Sequence, residues 1–202
     1  MRTYKLHMIR HGLTEANTDG RYIGVTDVPL SAVGIDWLQS QRKEGFYPAA
    51  DIVFSSPLAR CTETVGIIYP DKEPYLIDDY MDWISGKIPS PPGGEDPTEF
   101  TKRLCLGLNR VVKTMMEKQV FEAAAVMHGG VIMSLFAAAA LPRRRPVEWT
   151  CDPGTGFTVR ITPSLYAKSG VIEVIDTIPA QSTADASYDE EWAAMRRTAK
   201  DI

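Results

Sequence analysis

Two arginines and two histidines hold most of the chemical content of this 202-residue chain. Arg10 and His11, followed by Gly12, stand where the apolar run Leu6-His7-Met8-Ile9 stops. Arg60 lies in the stretch SSPLARCTET, and His128 is followed by Gly129 and Gly130. An imidazole beside a fixed positive charge can bind a phosphate and also attack it, because a neutral imidazole is a competent nucleophile near pH 7. Arginine forks take two phosphate oxygens each. Phosphoryl transfer depends mostly on positioning and on stabilising charge over the equatorial oxygens, which two arginines and a second histidine can supply. Gly12 is expected to let the backbone pass close to the phosphate.

The surrounding pattern must bring these groups together. Tyr4 to Arg10 reads as a buried strand, and Ser31 as the N-cap of a helix running to about Gly45. Asp51 to Phe54 is a second strand. Ser56-Pro57 then reads as a cap with proline at the first helical position, opening a helix that carries Arg60 and ends near Tyr69. Pro74 to Ile77 is a weaker strand. Asp96-Pro97-Thr98-Glu99 has the form of a capping box. It starts a long helix whose Phe100, Leu104, Leu108, Val111, Val112, Met115 and Met116 recur at helical spacing. Ala123 to Met127 is another buried strand, Val131 to Leu141 a core helix, and Phe157 to Ile161 and Val171 to Ile175 late strands. Strands alternating with helices predict an α/β three-layer α/β/α sandwich with a mostly parallel central sheet and helices on both faces. Residues 1–178 are expected to form one domain, with 179–202 a polar, helical tail. In open α/β sheets, ligands bind outside the carboxyl ends of the strands, and all four basic residues are predicted there.

Composition narrows the partners. Hydrophobic residues at 44% and charged residues at 24% fit an ordinary globular protein. A net charge of −4 argues against nucleic acid or an anionic membrane as the main partner. Affinity for phosphate must then come from local placement of arginine and histidine, and the expected partner is a small phosphorylated metabolite. Cys61, Cys105 and Cys151 form no CxxC and read as thiols of a reducing compartment. Val131 to Leu141 is too short to span a bilayer, and MRTYKLHMIRHG offers no signal-peptide core. The expected location is the cytoplasm, and the oligomeric state is left open.

Four ordered blocks, LHMIRHGLTEAN, GVTDVPLSAVG, SSPLARCTET and VMHGG, resemble the histidine phosphatase superfamily, which also contains the cofactor-dependent phosphoglycerate mutases. The resemblance implies that His11 is the nucleophile and forms a phosphohistidine. It implies that Arg10, Arg60 and His128 hold the phosphoryl oxygens, with Gly129 beside them and Asn17 near the rim. It also implies catalysis without a metal or cofactor. The leaving alkoxide needs a proton from a carboxyl group, and members of the family place a Glu in L-x-E-x-x-F-G-x-W-E-G. The corresponding stretch is Leu76 to Gly86. Asp78 falls where that Glu would be and Asp79 is the second candidate, while Asp82 replaces the glycine and Ser85 the later acid.

The expected function is a metal-independent phosphomonoesterase. The alternatives are a phosphoglycerate mutase-type transfer, or a non-catalytic phosphate-binding protein with an impaired acid. Substrate choice is ascribed to Pro89 to Gly94, the loop after Asn17, and the tail. Other residues have plainer readings. On a strand, His7 and His11 lie about 13 Å apart, so His7 is a satisfied core histidine. Glu95 either touches the site or belongs to the helix start. Arg143 to Arg145 form a solvated helix terminus.

Overall fold

A computed structural model describes residues 2–18, 26–81 and 95–180. The segment Pro89 to Gly94, residues 19–25 of the loop after Asn17 and the tail beyond Ala180 lie outside the described residues, so the expectations placed on them are not addressed by it.

Seven strands form one sheet: β1 (Tyr4–Arg10), β2 (Ile52–Ser55), β3 (Tyr75–Leu76), β4 (Glu122–Met127), β5 (Ala140–Leu141), β6 (Gly156–Ile161) and β7 (Ile172–Ile178). Their order is β3-β2-β4-β1-β6-β7-β5. β1 pairs in parallel with β4, β4 with β2 and β2 with β3. β6 runs antiparallel to both β1 and β7, and β5 runs parallel to β7. One strand therefore opposes six, and the mostly parallel sheet read from the sequence is present.

The helices are α1 (Glu15–Thr18), α2 (Ala32–Lys43), α3 (Ala59–Ile68), α4 (Pro97–Glu117), α5 (Gly129–Ala139) and α6 (Pro163–Ser169). Alternate residues of the central strands feed two separate cores. Leu6, Met8, Ala123, Ala125 and Met127 pack with Leu104, Leu108 and Val111 of α4 and with Leu135 and Phe136 of α5. Ile9, Ala124 and Val126 pack with Leu38 of α2 and with Cys61, Val65 and Ile68 of α3. Strands apolar on both faces need helices on both faces, and this produces the three layers.

Side-chain caps fix where α2 and α4 begin. Ser31 Oγ accepts the Gly34 amide at 3.1 Å, and Asp96 Oδ1 accepts the Thr98 amide at 2.8 Å, with Pro97 first in α4. The cap of α3 differs from expectation. Ser56-Pro57 precedes the helix, the N-cap is Leu58, and the Ala59 amide donates to Asp27 Oδ1 at 2.7 Å. Asp27, 32 residues upstream, supplies the negative charge favoured at that helix start, which releases Ser56 for another role.

His7 is the core histidine anticipated. Its Nδ1 meets Thr158 Oγ1 at 3.0 Å and its Nε2 meets Glu122 at 3.3 Å. The arginine triplet is exposed but does not end α5, which stops at Ala139: it follows β5 and leads into a 3-10 turn, Pro146–Trp149, whose N-cap is Arg145. Arg143 Nη1 donates to Ala138 O, Arg145 pairs with Glu148, and Arg144 lies over the Trp149 ring.

Candidate active site

The carboxyl ends of β1, β2 and β4 are neighbours in the sheet, and three of the basic residues leave from there. Arg10 ends β1, and His11 follows it with its amide bound to Met127 O at 2.9 Å. His128 follows β4 and is the N-cap of α5. Arg60 sits in the first turn of α3, just beyond β2.

The His11 ring is almost completely buried, and its Nδ1 lies 2.7 Å from its neighbour's carbonyl, Gly12 O. A carbonyl can only accept, so the proton sits on Nδ1 and the lone pair on Nε2. Burial, reinforced by the charges of Arg10 and Arg60, holds the His11 pKa well below its ordinary value. The ring is therefore neutral at pH 7, with Nε2 as its basic nitrogen. The His128 ring stands edge-on to it, with centroids 5.3 Å apart.

His128 is fully buried and carries the opposite tautomer. Arg60 Nε donates to its Nδ1 at 3.2 Å, so the proton resides on Nε2, which lies 2.9 Å from Ser56 Oγ. Burial is the main cause of its strongly lowered pKa, followed by coupling to the neighbouring His11 ring and by the charges of Arg60 and Arg10. Arg60 is also fully buried, and its Nη1 donates to Thr26 O at 2.9 Å.

Arg10 completes the cage. Its Nη1 donates to Cys151 O at 2.7 Å, while its Nε is buried without a hydrogen-bond partner among the described residues. An orphaned buried N–H costs about 1–3 kcal/mol, and an anionic oxygen would relieve it. The guanidinium lies against Gly129, where a Cβ would stand 3.2 Å from Nε. Gly129 thus seats Arg10, and it opens α5, whose first-turn amides have no partner within the helix.

Gly12 also has a packing reason: a Cβ there would come within 2.6 Å of Leu38 Cδ1 and 3.2 Å of Leu30 Cδ2. Its amide donates to Thr64 Oγ1 at 2.9 Å, and that hydroxyl donates to Arg60 O at 2.6 Å. Thr64 therefore ties the peptide after His11 to the turn that carries Arg60.

Sequence reasoning missed the loop Cys151–Thr155. The Arg10 amide donates to Thr155 O, the Gly154 amide lies 3.0 Å from Arg10 O and 3.1 Å from His11 O, and Tyr47 Oη donates to Gly154 O. These are backbone contacts, which leave little trace in residue type. The available signal was glycine. Gly154 has φ of +78°, a conformation glycine adopts readily, and a Cβ on Gly156 would collide with Met8 O at 2.0 Å. The Cys151 thiol is pushed up to about 12 by burial, so it is a protonated bystander.

The acid candidates follow the next strand along, where the Ile77 amide donates to Ser55 O at 2.8 Å. Asp78 and Asp79 lie on a 3-10 turn, Asp78–Tyr80, after β3. Asp79 is buried against α4, with Oδ2 2.9 Å from Arg110 Nη1 in an ion pair that is not an aligned hydrogen bond. Asp78 is exposed. Glu95 is gripped by Arg103 through contacts of 2.6–3.2 Å, and Arg103 Nη1 also donates to Asp79 O and Met81 O. This favours the helix-start reading of Glu95. Asn17 lies in α1.

The model of the histidine phosphatase superfamily (branch 1) matches residues 6–81. A 2,3-bisphosphoglycerate-dependent phosphoglycerate mutase of Borreliella burgdorferi (strain ZS7) is 42% identical over 69 residues, covering 32% of this chain and 27% of that protein. The adenosylcobalamin/alpha-ribazole phosphatase of Escherichia coli (strain K12) is 36% identical over 69 residues, covering 34% of each. The match thus spans about a third or less of the length of these relatives. Among solved structures, a phosphoglycerate mutase from Bacillus anthracis aligns with a TM-score of 0.71 at 15% identity, over 90% of this chain and 95% of that one. The alpha-ribazole phosphatase from Shigella flexneri aligns with a TM-score of 0.63 at 21% identity, over 78% and 90%. The resemblance of this chain to the histidine phosphatase superfamily therefore holds, in sequence across residues 6–81 and in fold across most of its length.

Proposed function

We propose that the protein is a metal-independent phosphomonoesterase that acts through a phosphohistidine on His11. The observation that carries this reading is the fixed tautomer of His11. With Nδ1–H held by Gly12 O, Nε2 presents a lone pair, and Arg10, Arg60 and His128 gather around it.

The chemistry follows in two steps. The Nε2 lone pair forms an N–P bond as the bond from phosphorus to the ester oxygen breaks, and the departing oxygen takes a proton from a carboxyl group. Water then attacks phosphorus, giving its proton to that carboxylate, and the N–P electron pair returns to Nε2. Arg10 and Arg60 neutralise charge on the equatorial oxygens in both steps, as phosphoryl transfer requires. Asp78 is the assigned acid, because Asp79 is engaged by Arg110. Asn17 and Gly129 are assigned to the phosphate rim. The substrate is a small phosphorylated metabolite, met without a cofactor in the cytoplasm.

The test is hydrolysis of p-nitrophenyl phosphate by purified protein. Activity without added metal, unchanged by EDTA, is the expected result. Loss of activity on chelation would overturn the metal-independent reading. A phosphoglycerate mutase-type transfer is the second reading, favoured by the 42% identity to a mutase over 69 residues. It predicts interconversion of 2- and 3-phosphoglycerate once 2,3-bisphosphoglycerate primes the protein. The exposed position of Asp78 keeps a third reading in view, phosphate binding without turnover, which predicts silence on p-nitrophenyl phosphate.

A further inference from the structure

We propose that Ser56 is a positioning residue of the phosphoryl-transfer site, helping to hold Arg60 in place by accepting the Nε2 proton of the His128 tautomer to which Arg60 donates. The kinetic part of this proposal rests on the phosphatase reading above; the tautomer part stands on geometry alone.

Ser56 does not cap α3, whose cap is Leu58 and whose first amide is taken by Asp27. Its own amide donates to Val126 O at 2.9 Å, which locks it between the ends of β2 and β4. The side chain is fully buried, and Oγ lies 2.9 Å from His128 Nε2. On the far side of the ring, Arg60 Nε lies 3.2 Å from Nδ1. A guanidinium nitrogen only donates, so this contact exists only when Nδ1 is unprotonated. The neutral ring must then keep its proton on Nε2, where Ser56 Oγ accepts it.

Ser56, His128 and Arg60 therefore form a chain with one direction of donation: Arg60 to His128, His128 to Ser56. Moving the proton to Nδ1 would set two N–H donors against each other, and Arg60 would have to turn. A serine hydroxyl could also donate to Nε2, so Ser56 permits either tautomer locally, and Arg60 decides between them. With Ser56 removed, the Nε2 proton exchanges a hydroxyl acceptor for the weaker Cys61 Sγ, 3.7 Å away. The tautomer that orients Arg60 is then penalised, and the guanidinium loses its alignment for phosphoryl oxygens. His11 is set the other way, with its proton on Nδ1 through Gly12 O. The site thus holds two neutral imidazoles in opposite tautomers, one leaving Nε2 for attack and the other using Nδ1 to orient a cation.

The experiment is 15N NMR of the imidazole nitrogens in the full-length protein at pH 7, with S56A and S56T alongside. In the unsubstituted protein His128 should show a protonated Nε2 and an unprotonated Nδ1, with His11 showing the reverse. A protonated Nδ1 on His128, or an imidazolium, would overturn the proposal without any variant having to fold. S56A should give a mixed His128 tautomer and lower kcat/KM for p-nitrophenyl phosphate about tenfold, the scale of one buried hydrogen bond. S56T should restore the single tautomer and most of the rate. An unchanged tautomer and rate in S56A would remove Ser56 from the mechanism while leaving the phosphatase reading intact. If no form of the protein turned over phosphate esters, the phosphatase reading would fail, and the tautomer measurement would still decide the role of Ser56.

Discussion

The two sides of the candidate site are built differently. On the nucleophile side, His11, His128 and Arg60 are buried to 3% exposure or less, and each is held by neighbouring groups. Thr64 and the loop Cys151–Thr155 then tie their elements together through backbone bonds. On the leaving-group side, the acid candidate Asp78 is exposed on a 3-10 turn, and its neighbour Asp79 is spent on Arg110. Under the proposed mechanism, capture of the phosphoryl group is preorganised, whereas protonation of the departing oxygen falls to a carboxyl group that is exposed among the described residues. Esters with good leaving groups should suffer least from that asymmetry.

The largest effect expected comes from weakening the preorganised side. Arg60→Ala should lower kcat/KM about 10²–10³-fold on every substrate, because it removes charge stabilisation from both steps. A loss limited to alkyl phosphates would place Arg60 on the leaving-group side and break the comparison.

Asp78→Asn tests the other side and should discriminate between substrates. The rate on an alkyl phosphate should fall about 10²-fold, the lower end of what a general acid supplies, while p-nitrophenyl phosphate is nearly unaffected. Equal losses on both would show that Asp78 acts structurally and that the proton comes from elsewhere.

The smallest effect concerns stability. His7, His11 and His128 all have folded pKa values below their ordinary value of 6.5, chiefly through burial. As pH falls below 6.5 the unfolded chain takes up protons that the folded state refuses, so the stability of the fold must decline. The slope should reach about 1.4 kcal/mol per pH unit for each histidine so affected. Denaturant titrations between pH 7.5 and 5 measure it directly. A flat profile would mean that the buried side is not held in its neutral form.

Much of this was legible in the sequence, and the exceptions follow a pattern. β1 was read at its observed limits because its four buried residues, Leu6 to Ile9, are a mainly apolar run between two neighbouring strands. The caps at Ser31 and Asp96 were read because a side chain supplies each one. The convergence of Arg10, His11, Arg60 and His128 followed from placing each after a parallel strand or in the turn beyond it. What was missed is long-range or carried by the backbone. Asp27 caps α3 from 32 residues away, and Cys151–Thr155 supports Arg10 through carbonyls and one amide. Gly12 was assigned to the phosphate, and its hydrogen also makes room for Leu38. β5, α6 and the 3-10 turn at Asp78 went unread because each is too short to show a period. β7 was read as ending at Ile175 and continues to Ile178 past a bulge at Ile175 itself, which has no partner between the pairs Val174–Val159 and Asp176–Thr158.

The central claim is that His11 Nε2 accepts the phosphoryl group. It is tested by incubating the protein with a 32P-labelled phosphomonoester, quenching in alkali, and locating the label by mass spectrometry of the digested chain. The account predicts an alkali-stable, acid-labile phosphohistidine at His11 that is absent from His11→Ala. Label on another residue, or turnover by the unsubstituted protein with no phosphoenzyme trapped and undiminished turnover by His11→Ala, would contradict it.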